Sequence, residues 1–152
     1  MDSRLVFHHQ DGDLSFGIIS GVYNLSPSGT LSCSVACSFS ESAEFMGSPQ
    51  FAMLSLAAGE GLYVGQTLEV HSQATSEDIC ESRPLTHLYA GEHYSPWNAR
   101  LTVVAVQESS IDVHGSFVTA DPNYYDERAK PTHVEFWASL KASPPTAIWR
   151  PL

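Results

Sequence analysis

A chain of 152 residues has the length of one domain and can bury a core without disulfides or metals. Its 43% hydrophobic and 16% charged residues are typical of a globular protein and exclude intrinsic disorder. The net charge of −10, with only seven scattered Lys and Arg, argues against nucleic acid and anionic membrane as partners. We expect a single domain over residues 1–152, with a proline-rich C-terminal tail at 143–152.

The N-terminus and the cysteine count both bear on the cellular compartment. The opening residues, MDSRLVFHHQDGD, lack the apolar run of ~7–15 residues that a secretory signal requires. No stretch approaches the ~20 apolar residues that span a bilayer. Three cysteines, an odd number, also argue against a secreted disulfide framework. We therefore expect a soluble, cytoplasmic protein.

The first forty residues predict a three-stranded antiparallel meander, because apolar residues recur at every second position. Leu5, Phe7 and His9 share one face of the first strand. Asp11-Gly12 is typical of a hairpin turn. Beyond the turn, the residues that share one face of the second strand are Leu14, Phe16, Ile18 and Val22.

The stretch LSCSVACSFS at 31–40 alternates cleanly and predicts a third strand. One face carries Leu31, Cys33, Val35, Cys37 and Phe39, and the other carries Ser32, Ser34, Ala36, Ser38 and Ser40. Residues four apart on a strand lie roughly 13 Å apart, too far for a disulfide, so both cysteines are expected in the core. The uncharged serine face lacks the charges that protect sheets from pairing. A second element must cover it, or it forms a homo-oligomer contact through Ser32, Ser34 and Ser38.

The segment GSPQFAMLSLAAGEG predicts the one helix of the fold. Ser48 suits an N-cap, Pro49 the first helical position and Gly59 the C-terminal end. Ala, Met and Leu are good helix formers. We expect a short helix at about 49–58, and a strand over the same residues stays open as the alternative.

The second half of the chain again predicts strands. Residues 66–71 place Leu68 and Val70 inward, and the Val-rich segment 100–107 predicts a strand buried on both sides. Two further strands place apolar residues on one face: Ile111, Val113, Gly115 and Phe117 in the first, and Val134, Phe136, Ala138 and Leu140 in the second. The expected fold is therefore mainly β, an antiparallel β-sandwich or open barrel with one short helix.

Motifs for metal binding and nucleophilic catalysis are missing from the sequence. His87 and His93 flank a turn, and together with Glu92 or Tyr94 they would supply the three protein ligands of a catalytic zinc site. Their spacing is not diagnostic of such a site. Sequence signatures of a nucleophile elbow or a phosphate loop do not occur. We expect no metal and no cofactor. The sequence favours a non-catalytic protein and leaves open a hydrolase with paired carboxylates.

The loop DPNYYDERAKP is the first candidate binding site. Its oxygens suit calcium, but the spacing is not that of an EF-hand. Its tyrosines in an acidic rim are instead typical of a protein interface. The predicted partner-binding residues are Asp121, Asn123, Tyr124, Tyr125, Asp126 and Glu127. With the charge of −10, they favour an acidic protein that neutralises a basic toxin or enzyme, comparable in general character to bacterial immunity proteins.

The segment EHYSPWNAR is the alternative candidate site. Aromatic side chains beside carboxylates are typical of sites that stack on sugar rings. The residues for this carbohydrate-binding or hydrolytic alternative are Glu92, His93, Tyr94 and Trp97. A structural role for Trp97, closing the end of the core, is open as well.

Overall fold

A computed structural model describes residues 2–59, 61–70, 86–123 and 127–143. The strands are β1 (Arg4–His9), β2 (Gly12–Leu25), β3 (Thr30–Cys37), β4 (Gln50–Ala57), β5 (Thr67–Val70), β6 (Thr86–Tyr89), β7 (His93–Tyr94), β8 (Trp97–Val106), β9 (Ser110–Thr119) and β10 (Thr132–Ala142). One short 3₁₀ helix spans Glu41–Met46. Within these residues, no helix has the length and apolarity that crossing a bilayer demands.

The ten strands form one sheet in the order β5-β8-β9-β10-β1-β2-β3-β4-β6-β7. Neighbouring strands are antiparallel, and β10 also touches β2 in parallel through Lys141 and Val22. The sheet curls into a half-barrel until β4 lies beside β5. The prediction of a mainly β open barrel is therefore confirmed.

The interior of the half-barrel is filled by aromatic and aliphatic side chains, as in other small barrels. The ring of Phe51 on β4 lies 4.7 Å from Phe136 on β10 and 5.3 Å from Phe117 on β9. Cys33 and Cys37 are buried, free thiols in the same core. Their prediction as core residues is confirmed.

The predicted inward faces of β9 and β10 are also confirmed. Ile111, Val113 and Phe117 have no exposed surface, and neither do the four inward residues of β10. Gly115 lies on the same face by alternation, and a Cβ at this position would collide with the ring of Phe136. The buried residues of β9 and β10 are therefore the ones that the alternation of apolar residues along the sequence predicts.

The predicted helix at 49–58 is wrong, and the strand alternative is correct. Residues Gln50–Ala57 form β4, which pairs with β3 on one side and β6 on the other. The short helix lies earlier, at Glu41–Met46, and ends at Gly47 with a φ of 62°. Phe51 and Ala52 are both buried, so tertiary pairing overrides the helix propensity of this stretch.

Three smaller predictions, on Val22, on the β8 segment and on Phe39, are wrong. A register shift between Ile18 and Ser20 moves Val22 off the core face, which Tyr23 and Leu25 continue. The β8 segment is buried on one face only, since Val104 is 45% exposed. Phe39 is 52% exposed because β3 ends before it, at Cys37.

Candidate functional site

A polar groove lies on the outward face of β5, β8, β9 and β10. Its volume is about 590 Å³. The side chains that line it include Glu69, Arg100, His114, Ser116, His133 and Glu135. The strand register explains why they meet, because Arg100 lies opposite Ser116, and Ser116 lies opposite Glu135. Alternate residues of neighbouring strands thus form one row across the outer face.

A β-bulge in β8 directs Arg100 into this groove. Trp97 pairs with Val118 and Arg100 with Ser116, so three residues of β8 span two of β9. The bulge keeps both Trp97 and Arg100 on the outer face while Ala99 turns into the core. Asn98, in the bulge, has a φ of 54° and is the one non-glycine residue with positive φ in the described segments. Bulges of this kind often re-aim a side chain at a site.

Glu135 is the centre of a hydrogen-bonded network beside the groove. Nε2 of His114 donates to Oε2 of Glu135 at 2.6 Å, and Nε2 of His8 donates to Oε1 at 3.1 Å. Partial burial raises the pKa of Glu135, but the bonds from His114 and His8 outweigh that effect and hold it below its ordinary value. The carboxylate is therefore ionised and well oriented at neutral pH.

His8 joins this network to β2. Its Nδ1 lies 3.0 Å from Oδ1 of Asp13, while its Nε2 bonds Glu135. Ionised carboxylates only accept hydrogen bonds, so both bonds form together only when His8 is an imidazolium. The bond to Glu135 raises the pKa of His8; burial opposes the shift and Asp13 adds to it. The outer face thus favours a protonated histidine between two carboxylates.

Trp137 is clamped between two neighbours on the same face. The Arg4 guanidinium lies 4.5 Å from the centre of the indole, and the His114 ring stacks on it at 4.9 Å with an angle of 11°. The register places Arg4, Trp137 and His114 side by side on β1, β10 and β9. These two neighbours hold the indole in one orientation, which reduces the entropy cost of using it in a contact.

The 121–131 loop is anchored to the β1–β2 hairpin by a buried pair. Nε2 of His9 donates to Oδ1 of Asp121 at 2.7 Å, and only 4% and 1% of these side chains are exposed. Asp121 also accepts from the backbone N–H groups of Asn123 and Lys130. Nδ1 of His9 accepts from the backbone N–H of Asp11, which assigns the ring proton to Nε2. The Asp121 carboxylate is therefore buried, and it holds the described ends of the loop at Asn123 and Lys130.

The anchored loop brings carboxylates together at one end of the barrel. Arg128 pairs with Asp11 at 3.2 Å, and Glu127 is exposed next to it. The side chains of Asp11 and Asp13 are 46% and 62% exposed. We call Asp11, Asp13 and Glu127 the acidic end. Of the predicted partner-binding residues, Asn123 is half-buried, and Tyr124, Tyr125 and Asp126 lie outside the described residues.

The alternative site residues are spread over the β6–β8 region. The Tyr94 hydroxyl donates to the carbonyl oxygen of Pro122 at 3.1 Å, so it supports the acidic loop. Trp97 is half-buried and pairs with Val118 of the groove wall, although it does not line the groove itself. Glu92 and His93 are exposed at the β6–β7 turn. Only Trp97 of the four is thus beside the groove.

The side chains of His87 and His93 contact each other across the β6–β7 hairpin. Nε2 of His87 lies 3.0 Å from Nδ1 of His93. Burial lowers the pKa of His87, and the neighbouring His93 lowers it further. Within the described segments, no group of three His, Cys, Asp or Glu side chains is arranged to hold a metal ion. Burial also raises the pKa of the Cys33 and Cys37 thiols to about 12.

The sequence did not reveal the groove or the network around Glu135. His114, Ser116, Glu135 and Trp137 alternate with the predicted inward residues of β9 and β10, but which of them meet depends on the register between strands. The one signal in the sequence was that His114 and Glu135 lie on the outward faces of two strands that follow each other in the chain, β9 and β10. A scan against protein-family models and searches of curated proteins and solved structures find no match to this chain.

Proposed function

We propose that this protein is a non-catalytic acidic protein that binds a basic protein partner. In its most concrete form it is a cytoplasmic inhibitor of the immunity type, which neutralises a basic toxin or enzyme. The partner surface is the acidic end together with the exposed part of the 121–131 loop. The observation that carries this proposal is the buried bond between His9 and Asp121.

This buried bond matters because a binding loop gains affinity when it is ordered before the partner arrives. Asp121 uses both carboxylate oxygens to hold the loop backbone against the hairpin turn. The exposed carboxylates of Asp11, Asp13 and Glu127 are thereby presented by two connected elements.

Electrostatics favour a positively charged partner. The whole chain carries a net charge of −10. Within the described residues, Arg128 pairs with Asp11 and His8 pairs with Asp13, so the three carboxylates of the acidic end are only partly offset. Such a surface accelerates association with a basic protein by long-range attraction, and salt weakens the effect.

Affinity capture with charge variants tests this proposal. The immobilised protein is exposed to a lysate of its native host, and captured proteins are quantified by mass spectrometry. We expect at least one protein with an isoelectric point above about 9 to be enriched. The triple change Asp11→Asn, Asp13→Asn and Glu127→Gln should reduce its capture at least ~10-fold, equivalent to about 1.4 kcal/mol.

The matched control removes three carboxylates elsewhere. Glu41→Gln and Glu44→Gln lie on the 3₁₀ helix, and Glu108→Gln lies in the β8–β9 turn. This control has the same net charge as the acidic-end variant and should capture the partner almost as well as the wild type. Equal losses in the two triple variants would show that only net charge matters and would contradict the assigned surface.

A further inference from the structure

Arg100 lies at the wall of the groove and forms no ion pair with the described residues. It is exposed, and no carboxylate of the described residues lies within ion-pair distance of its guanidinium. The bulge at Asn98 holds it on the outer face, although strict alternation from Trp97 would turn it inward. A guanidinium in this position is suited to a carboxylate, which it binds through two parallel hydrogen bonds.

Glu135 lies on the opposite wall of the same groove. Its two oxygens each accept one hydrogen bond, from His8 and from His114. An ionised carboxylate offers about four acceptor positions, so about two remain for a ligand. Because histidines fix its orientation from both sides, the remaining acceptor positions are preorganised for a donor such as an ammonium group.

The strand between these two walls leaves room for a small ligand. Arg100 and Glu135 are on β8 and β10, and the intervening β9 contributes only Ser116 to the row. Two strand spacings separate the backbones of β8 and β10 by about 10 Å, and the Arg100 and Glu135 side chains project from the same face with Ser116 between them. The volume of about 590 Å³ leaves additional space for a side chain.

We propose that the groove binds a free α-amino acid as its zwitterion, with the carboxylate on Arg100 and the ammonium on Glu135. Ser116 and Thr102 supply hydroxyl groups between the two charges. This ligand site is additional to the protein surface proposed above and does not include the acidic end.

The composition of the walls selects the ammonium group over a second anion or a neutral hydroxyl. Glu69 adds another carboxylate to the lining, next to Arg100 on β5. A dicarboxylate would therefore meet repulsion at Glu135 and Glu69. A neutral sugar would leave the guanidinium without a counter-charge, and an acidic sugar would leave the remaining acceptor positions of Glu135 without an ammonium donor.

Amide-resolved NMR titration tests the site directly. Each common L-amino acid is added to ¹⁵N-labelled protein at up to about 10 mM, a range that detects millimolar dissociation constants. We expect at least one of them to shift the amide signals of Gly115 and Ser116 in a saturable manner. The N-acetyl and amide derivatives of that amino acid, which lack one charge each, should bind at least ~10-fold more weakly.

Two charge variants and one competing ligand complete the test. Arg100→Gln should abolish the shifts, and Lys141→Gln, which removes a positive charge at the end of β10, should retain them. Persistence of binding in Arg100→Gln would overturn the proposal. So would the lack of a response to any amino acid, or equal affinity for D-glucuronate, whose hydroxyls replace the ammonium group.

Discussion

The inner and outer faces of β9 and β10 differ in how their residues are held in place. On the inner face, Phe117, Phe136 and their neighbours are completely buried, and their identity follows from apolar alternation alone. On the outer face, His114, Glu135 and Trp137 depend on one another through stacking and hydrogen bonds. On these two strands, the buried residues can therefore be predicted from alternation alone. The contacts of the outer face can be predicted only when the neighbouring strands and their register are known.

The inner face and the outer face also differ in how much they contribute to the free energy of folding. Burial of an apolar side chain contributes about 1.5–3 kcal/mol without directional requirements. Exposed ion pairs contribute about 0–1 kcal/mol, and their orientation matters more than their number. We infer that the inner face supplies most of the folding free energy, and the outer face and acidic end are available for ligands.

The His9–Asp121 pair is the exception, because it is polar and also buried. Asp121→Ala removes the acceptor of His9 and of two backbone N–H groups, so we expect the free energy of unfolding to fall by about 3–5 kcal/mol in urea denaturation. Asp112→Ala is the control; it removes an outer-face carboxylate that accepts from the Ser139 hydroxyl. A loss no greater than in this control would contradict the anchoring role.

The network around Glu135 should have a smaller and pH-dependent effect. Because Glu135 is partly exposed and His8 more so, we expect Glu135→Gln to lower the free energy of unfolding by only about 0.5–1 kcal/mol near neutral pH. The raised pKa of His8 means that its contribution is present at low pH and is lost as the pH rises through that pKa. The lowered pKa of Glu135 means that its contribution is lost as the pH falls through that pKa.

The effect of Glu135→Gln should therefore be greatest between these two pKa values and should shrink on both sides. Urea denaturation at about pH 3, 6 and 9 samples the three regimes. Glu108→Gln, in the β8–β9 turn, is the control and should show no such maximum. A loss that is the same at all three pH values would argue against the paired titration of His8 and Glu135.

The serine face gives the smallest expected effect on stability. Ser32, Ser34 and Ala36 are half-buried, and homo-oligomerisation through Ser32, Ser34 and Ser38 remains a proposal. Ser34→Arg places a charge at the centre of this face and should convert an oligomer to a monomer in sedimentation experiments, with a change in unfolding free energy within about 0.5 kcal/mol. A wild-type protein that is already monomeric would contradict this contact.

The fold class and most of the core could be predicted from the sequence, because the alternation of apolar and polar residues is visible in each strand by itself, without knowledge of the partner strand. The prediction failed at residues 49–58, where helix propensity competed with pairing to β3 and β6. It also failed at Val22, because an inserted bulge residue reverses the face of everything that follows.

The candidate sites were less accessible to sequence reasoning. The 121–131 loop was identified from its composition, but Asp121 is buried against His9, which is more than a hundred residues away in the chain. Glu135 meets His8 and His114 only because of the registers of β1, β9 and β10. Long-range register has no local signature in a single sequence.

The most direct test compares two adjacent residues on opposite faces of β10. Phe136→Ala and Trp137→Ala each remove one aromatic ring, and their free energies of unfolding are measured in parallel by urea denaturation. We expect a loss of about 3–5 kcal/mol for Phe136→Ala, which leaves a cavity against Phe51 and Phe117. Trp137→Ala should cost about 1 kcal/mol, the value of an exposed cation–π contact with Arg4. Equal losses would contradict the division between a stabilising inner face and a binding outer face.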